Sequence, residues 1–124
     1  MQNTSNMTIE KIKDLLNARV LCGDDLLENE VFSACGSDMM SDVLAFVKNR
    51  AALLTGLVNP QVIRTAEMMD MKCVVFVRAK NPTSEMIELA KDSGIAVLAT
   101  DMRMYESCGA LYMAGLKGDG EKNE

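Results

Sequence analysis

The chain contains no histidine and no tryptophan, and only two tyrosines, three phenylalanines and two prolines in 124 residues. Without histidine, the Ser-His-Asp and Cys-His nucleophile systems and the His-based metal sites are excluded together. Any catalysis would have to run on Asp, Glu, Lys, Tyr, Cys or the backbone. A basic face interleaved with aromatics is also missing: 13 basic residues stand against 18 acidic ones, for a net charge of −5. No nucleic-acid partner is therefore expected, because phosphate neutralisation needs such a face. Long hydrophobic runs are absent too. None exceeds five residues, as in Cys-Val-Val-Phe-Val at 73–77, which is strand-sized, against the ~20 residues that cross a bilayer. The opening Met1-Gln2-Asn3-Thr4-Ser5-Asn6-Met7 lacks the basic start and apolar stretch of a signal peptide. The expectation is a cytoplasmic chain without a membrane partner.

Four cysteines stand at 22, 35, 73 and 108, with no CxxC spacing. They read as reduced, packed thiols rather than a zinc knuckle, and no metal is expected. Cys35 is the candidate reactive thiol, one residue before a Gly-Ser helix start whose dipole would lower a thiol pKa. Its alternation with Phe32 and Ala34 argues instead for strand packing. The acidic residues Asp24, Asp25, Glu28 and Glu30 fall in a polar connection and read as a solvated run. Eleven methionines imply an adaptable core, or a partner surface.

Strands and helices alternate along the chain. Thr8 can cap a helix with its buried face on Ile9, Ile12, Leu15 and Leu16. Arg19-Val20-Leu21-Cys22 reads as a strand stopped by Gly23, and Val31-Phe32-Ser33-Ala34-Cys35 as a second, ended by Gly36. Ser37-Asp38 opens a helix whose core stripe is Met40, Val43, Leu44 and Val47. Met39 and Phe46 lie outside that stripe on one line, so they are expected at the contact of a homodimer.

From residue 51 the pattern repeats. Apolar runs begin at 51, 73 and 95, each 22 residues after the last, and a helical segment follows each. Short continuously apolar strands alternating with helices predict a parallel sheet covered on both faces. The expected fold is α/β and three-layered, with a mixed, mostly parallel sheet of about five strands and helices on both faces. Asn59-Pro60 and Asn81-Pro82 fall at matching phase after their strands and suit helix starts, with Thr83 or Ser84 as alternative caps of the second. Those helices would bury Val62, Ile63, Ala66 and Met69, then Met86, Ile87 and Ala90, the second stopping at Gly94. Thr100 or Asp101 would cap a last helix with the stripe Met104, Cys108, Leu111 and Tyr112. Residues 1–7 and the charged tail 117–124 are expected to be disordered, leaving 8–116 as the domain.

In such a sheet the strands deliver their carboxyl ends, and the helices begin, along one edge where anions and small ligands bind. That edge should gather Gly36, Ser37, Thr55, Gly56, Asn59, Arg78, Asn81 and Thr100, the candidate ligand-binding residues. Arg78 and Lys80 would supply positive charge, so a small anion is the expected ligand. Helix capping alone would equally account for Ser37, Asn59 and Asn81. No GxGxxG or GxxxxGK[ST] fingerprint is present. No catalytic residue and no cofactor are expected.

Residues 20–23 (Val-Leu-Cys-Gly), the strand at 51–55, the helix start at Pro82 and the strand at 95–100 give the chain a layout that resembles the DRTGG domain over residues 8–116. That small α/β domain occurs within long phosphate acetyltransferases and between CBS repeats of some pyrophosphatases. It is similar to the N-terminal domain of the HPr kinase/phosphorylase. The chain departs from the family's namesake residues: Leu57-Val58 stands in place of Asp-Arg, and Val77-Arg78-Ala79 in place of Thr-Gly-Gly. It looks more like the stand-alone members found in anaerobic bacteria and archaea, some encoded beside iron hydrogenase or signalling genes. The resemblance implies a regulatory or interaction module, often a homodimer, with no established reaction. Two rivals stand beside that expectation: a nucleotide- or anion-binding protein with a thiol role for Cys35, and a structural adaptor of a larger, for example hydrogenase-associated, complex, with a partner protein.

Overall fold

The computed structural model describes residues 6–46 and 50–118. Thr8 caps the first helix as its sequence implies, its Oγ1 accepting from the Lys11 N–H at 3.1 Å. That helix, α1 (Ile9–Leu16), buries Ile9, Ile12 and Leu16 and ends at Asn17, whose φ of 51° supplies the left-handed C-cap. Just before it, β1 (Met7–Thr8) pairs antiparallel with β3 (Glu30–Val31), Met7 opposite Val31. Met7 is buried in that ribbon, so the ordered domain begins earlier than its composition implied.

The main sheet has the order β2-β7-β6-β5-β4. Its strands are β2 (Arg19–Cys22), β4 (Ser33–Gly36), β5 (Ala51–Thr55), β6 (Cys73–Phe76) and β7 (Ala96–Ala99). β4 to β7 run parallel and only β2 is antiparallel, against β7. The single strand expected over 31–35 is divided at Phe32. Val31 pairs with β1, Ser33 begins pairing with β5, and the Phe32 N–H turns to the Arg50 carbonyl at 2.8 Å. Two pairing partners in different directions require that bend.

Because β4, β5, β6 and β7 are consecutive neighbours, the crossovers step the same way and place their helices on one face. α2 (Met40–Phe46), α3 (Pro60–Met68) and α4 (Ser84–Ser93) bury Val43, Val62, Ile63, Ala66, Met86 and Ala90 against Leu53, Val74, Phe76 and Val97. On the other face α1 and α5 (Met104–Met113) set Ile9, Ile12, Leu16 and Leu111 against Leu54, Val75 and Leu98. The three layers and mostly parallel sheet expected from the repeat are present.

Several stripes are narrower than expected. In α2, Met40 and Val43 are buried but Leu44 is 40% exposed; Val47 and the Phe46 side chain lie outside the described residues. In α5, Ser107 and Leu111 form the buried line and Tyr112 turns outward. Asn59 does cap α3, accepting from the Gln61 N–H at 2.8 Å. Thr83, not Asn81, caps α4, and α5 starts from Arg103 without a side-chain cap. At the far end the Lys117 carbonyl accepts from the Ala34 N–H at 3.0 Å, so Lys117 still belongs to the folded chain rather than to a tail.

Candidate functional site

The parallel strands bring Gly36, Thr55, Val77 and Thr100 to one end of the sheet, and antiparallel β2 adds Arg19, opposite Ala99. The centre of that end is built around Asp38, which sequence reasoning passed over as a helix-start residue. Its Oδ1 accepts from the Thr55 hydroxyl at 3.0 Å and from the Gly56 N–H at 2.8 Å. Its Oδ2 lies 3.7 Å from Arg78 Nη2, both side chains being about half exposed. A surface pair at that separation contributes under about 1 kcal/mol, so Arg78 is held loosely.

Gly56 is the floor beneath Arg78. A Cβ there would collide with the guanidinium, its Cζ at 2.8 Å, so the bare backbone just after β5 is what leaves room for the arginine. Arg78 and Ala79 are both left-handed, with φ of 62° and 59°. That conformation costs roughly 1–2 kcal/mol per non-glycine residue. It persists because the Arg78 and Ala79 N–H groups donate to the Met102 and Thr100 carbonyls at 2.7 and 3.0 Å. The strain therefore aims the Arg78 side chain at Asp38 and Gly56.

The other expected residues divide by role. The Thr55 hydroxyl is fully buried and also accepts from the Leu57 N–H at 3.1 Å. The Thr100 hydroxyl donates to the Leu16 carbonyl at 2.7 Å and accepts from the Met102 N–H at 3.1 Å. Both hydroxyls hold loops together instead of facing outward. Ser37 Oγ accepts from the Met39 N–H at 3.0 Å, a local turn. Gly36 serves packing: a Cβ there would meet Cys108 Sγ at 2.6 Å. Asn81, expected as a cap, instead accepts from Arg19 Nη2 at 3.3 Å, while Arg19 Nη1 reaches Asp101 at 3.5 Å. This second, exposed arginine–aspartate pair borders the first. Spacing gave no signal for either pairing, since the partners are separated by 40 and 82 residues (38 to 78, 19 to 101).

Burial disfavours the thiolate at all four cysteines. Burial pushes Cys35 up, with a further contribution from Cys108, and burial also raises Cys22 and Cys108; fully buried Cys73 is pushed up to about 12. Cys35 packs with the α2–α4 layer and Cys108 with the α1/α5 layer, on opposite faces of the sheet. Among the described residues no three His, Cys, Asp or Glu side chains gather as a metal site. A cavity of about 490 Å³ lies near the opposite end of the sheet, lined by Cys22, Gly23, Asp24, Lys91 and Ile95.

No family model and no curated protein matches the chain. Among solved structures, the chain is similar to the regulatory region of Clostridium perfringens pyrophosphatase, its CBS and DRTGG domains complexed with the activator diadenosine tetraphosphate, at TM-score 0.71 and 15% identity. The match covers 90% of this chain and 51% of that one, so the chain spans about half the neighbour's length. The fold is DRTGG-like. Arg78 and Ala79 adopt positive φ, a region that glycine enters most readily, and so place a cation on a backbone turn that non-glycine residues seldom take. Among the described residues no helix is long and apolar enough to cross a membrane.

Proposed function

We propose that the chain is a non-enzymatic regulatory module that works as a homodimer and senses a small anionic ligand at the carboxyl end of its sheet. The observation that carries this reading is the seat of Arg78: a half-exposed guanidinium laid over the bare backbone of Gly56 and loosely tied to Asp38. Support for a regulatory role comes from the fold shared with the pyrophosphatase region, which is complexed with a nucleotide activator. A phosphate-bearing ligand would compete with Asp38 for Arg78, since guanidinium binds such groups in a bidentate fork. Displacing Asp38 would in turn loosen its bonds to Thr55 and Gly56 and free the turn before α2. Binding would thus reach a helix on the outer layer without a chemical step.

Thermal-shift and calorimetric titrations with inorganic pyrophosphate and with diadenosine tetraphosphate test the reading. A ligand at 100 times its Kd adds about 2.7 kcal/mol to folded-state stability, so the melting temperature should rise. Arg78→Ala, which keeps the Cβ and the backbone demand, should abolish the rise. No shift with either probe, or a shift that survives the substitution, would refute the site.

A further inference from the structure

The last helix lacks an outer polar face. Over Met104–Met113 its sequence is Met-Tyr-Glu-Ser-Cys-Gly-Ala-Leu-Tyr-Met, with Glu106 as the sole charged residue. Ser107 and Leu111 bury one side against the sheet layer, yet Tyr105 is 86%, Tyr112 45% and Met113 88% exposed on the other. At ~100° per residue, Tyr105, Glu106, Gly109, Tyr112 and Met113 fall within an arc of about 120°. Helices that are apolar all round are normally covered on both sides. Gly109 sits inside this arc, where an added Cβ would meet nothing within 4 Å among the described residues. Glycine in mid-helix weakens the helix, and no contact among the described residues accounts for it here.

We infer that the outer face of α5 docks on the same face of a second copy of this chain, as an antiparallel helix pair with its two-fold axis at Gly109. The inference rests on the homodimer part of the function proposed above and is independent of the anion site. The stripe is self-complementary about that glycine. Tyr105 and Met113 lie four residues to either side of it, and Glu106 and Tyr112 lie three to either side. An antiparallel pair centred there sets each Tyr105 against Met113 of the other copy, an aromatic–thioether contact, twice over. It also sets each Glu106 against Tyr112 of the other copy. Lys117 Nζ lies 3.8 Å above the Tyr112 ring, so each Glu106 carboxylate meets a cation. Charge is thus matched within the pair, and no oppositely charged partner is called for. The bare Cα of Gly109 lets the two backbones approach closely. With about 150–250 Å² per aromatic side chain, Tyr105, Tyr112 and Met113 supply roughly half of the ~800 Å² per partner of a standard interface.

Light scattering and sedimentation on the full chain at tens of micromolar test the inference. The parent should be a dimer. Tyr105→Glu should raise the dimer Kd at least about 100-fold, the size of a hot-spot loss, with an unchanged circular-dichroism spectrum. Glu106→Lys puts a second cation opposite Lys117 and should weaken the dimer about tenfold; adding Lys117→Glu to the same chain should restore it. Met39→Glu, at an exposed residue just before α2, should leave the dimer intact. A monomeric parent would overturn both this inference and the homodimer reading. A dimer that survives Tyr105→Glu but dissociates with Met39→Glu would overturn the α5 face alone and place the contact on α2. The anion titration stands or falls separately.

Discussion

From Cys73 to Val77 every side chain is fully buried; one residue later Arg78 is nearly half exposed and its backbone is left-handed. The middle of the sheet and its carboxyl end are thus a residue apart in sequence and obey different physics. In the middle, Leu53, Val74, Phe76 and Val97 meet only apolar neighbours, and their contribution is area removed from water. At the end, Asp38, Thr55, Gly56 and Arg78 trade hydrogen bonds in partial contact with solvent, where each bond contributes little net stability. The first region holds the fold. The second holds a half-exposed charge on a strained turn by weak, partly solvated bonds.

Phe76→Ala should draw the contrast most sharply, costing about 3–5 kcal/mol in urea unfolding because a fully buried ring is replaced by a cavity. Alkaline titration gives the next effect. The thiol of Cys73, ordinarily near 9.0, is pushed up to about 12 by burial. The folded state therefore retains a proton that the unfolded chain releases above pH 9. Its stabilising contribution is present in full below pH 9 and is lost as pH rises from 9 through about 12. At about 1.4 kcal/mol per pH unit this reaches about 4 kcal/mol. Cys73→Ala should flatten that part of the stability–pH curve whatever its effect at neutrality. Asp38→Ala should give the smallest change, about 1–2 kcal/mol, from the lost bonds to Thr55 and Gly56. An Asp38→Ala cost as large as that of Phe76→Ala in the same urea series would break the comparison.

The same division decides what the sequence disclosed. Continuous apolar runs 22 residues apart are a local signal, and they located β5, β6 and β7 and the parallel, three-layer plan. Thr8, Asn59 and Gly94 marked helix ends because capping is also local. The carboxyl end was legible as a place but not as an arrangement. Gly56 and Arg78 were named as separate candidates, while the clash that makes one the seat of the other depends on strand register. Asp38 was hidden because an aspartate after a serine reads equally well as part of a helix start. Thr100 and Asn81 misled for the same reason: their partners, Leu16 and Arg19, come from β2's end of the chain, 84 and 62 residues away. The outward turn of Leu44 and Tyr112 was invisible because an apolar stripe does not reveal how wide a face its sheet will accept.

The pairing of β2 with β7 sets an order of events in synthesis. Arg19–Cys22 emerges from the ribosome well before its hydrogen-bonding partner, Ala96–Ala99. Until then β4, β5 and β6 can line up as each appears, while β2 has no strand to pair with. Closing that long loop cannot precede the synthesis of residue 96, and its entropy cost adds to those that slow high-contact-order folds. Nascent chains stalled before residue 96 should accordingly expose β2 to proteases that the folded domain resists.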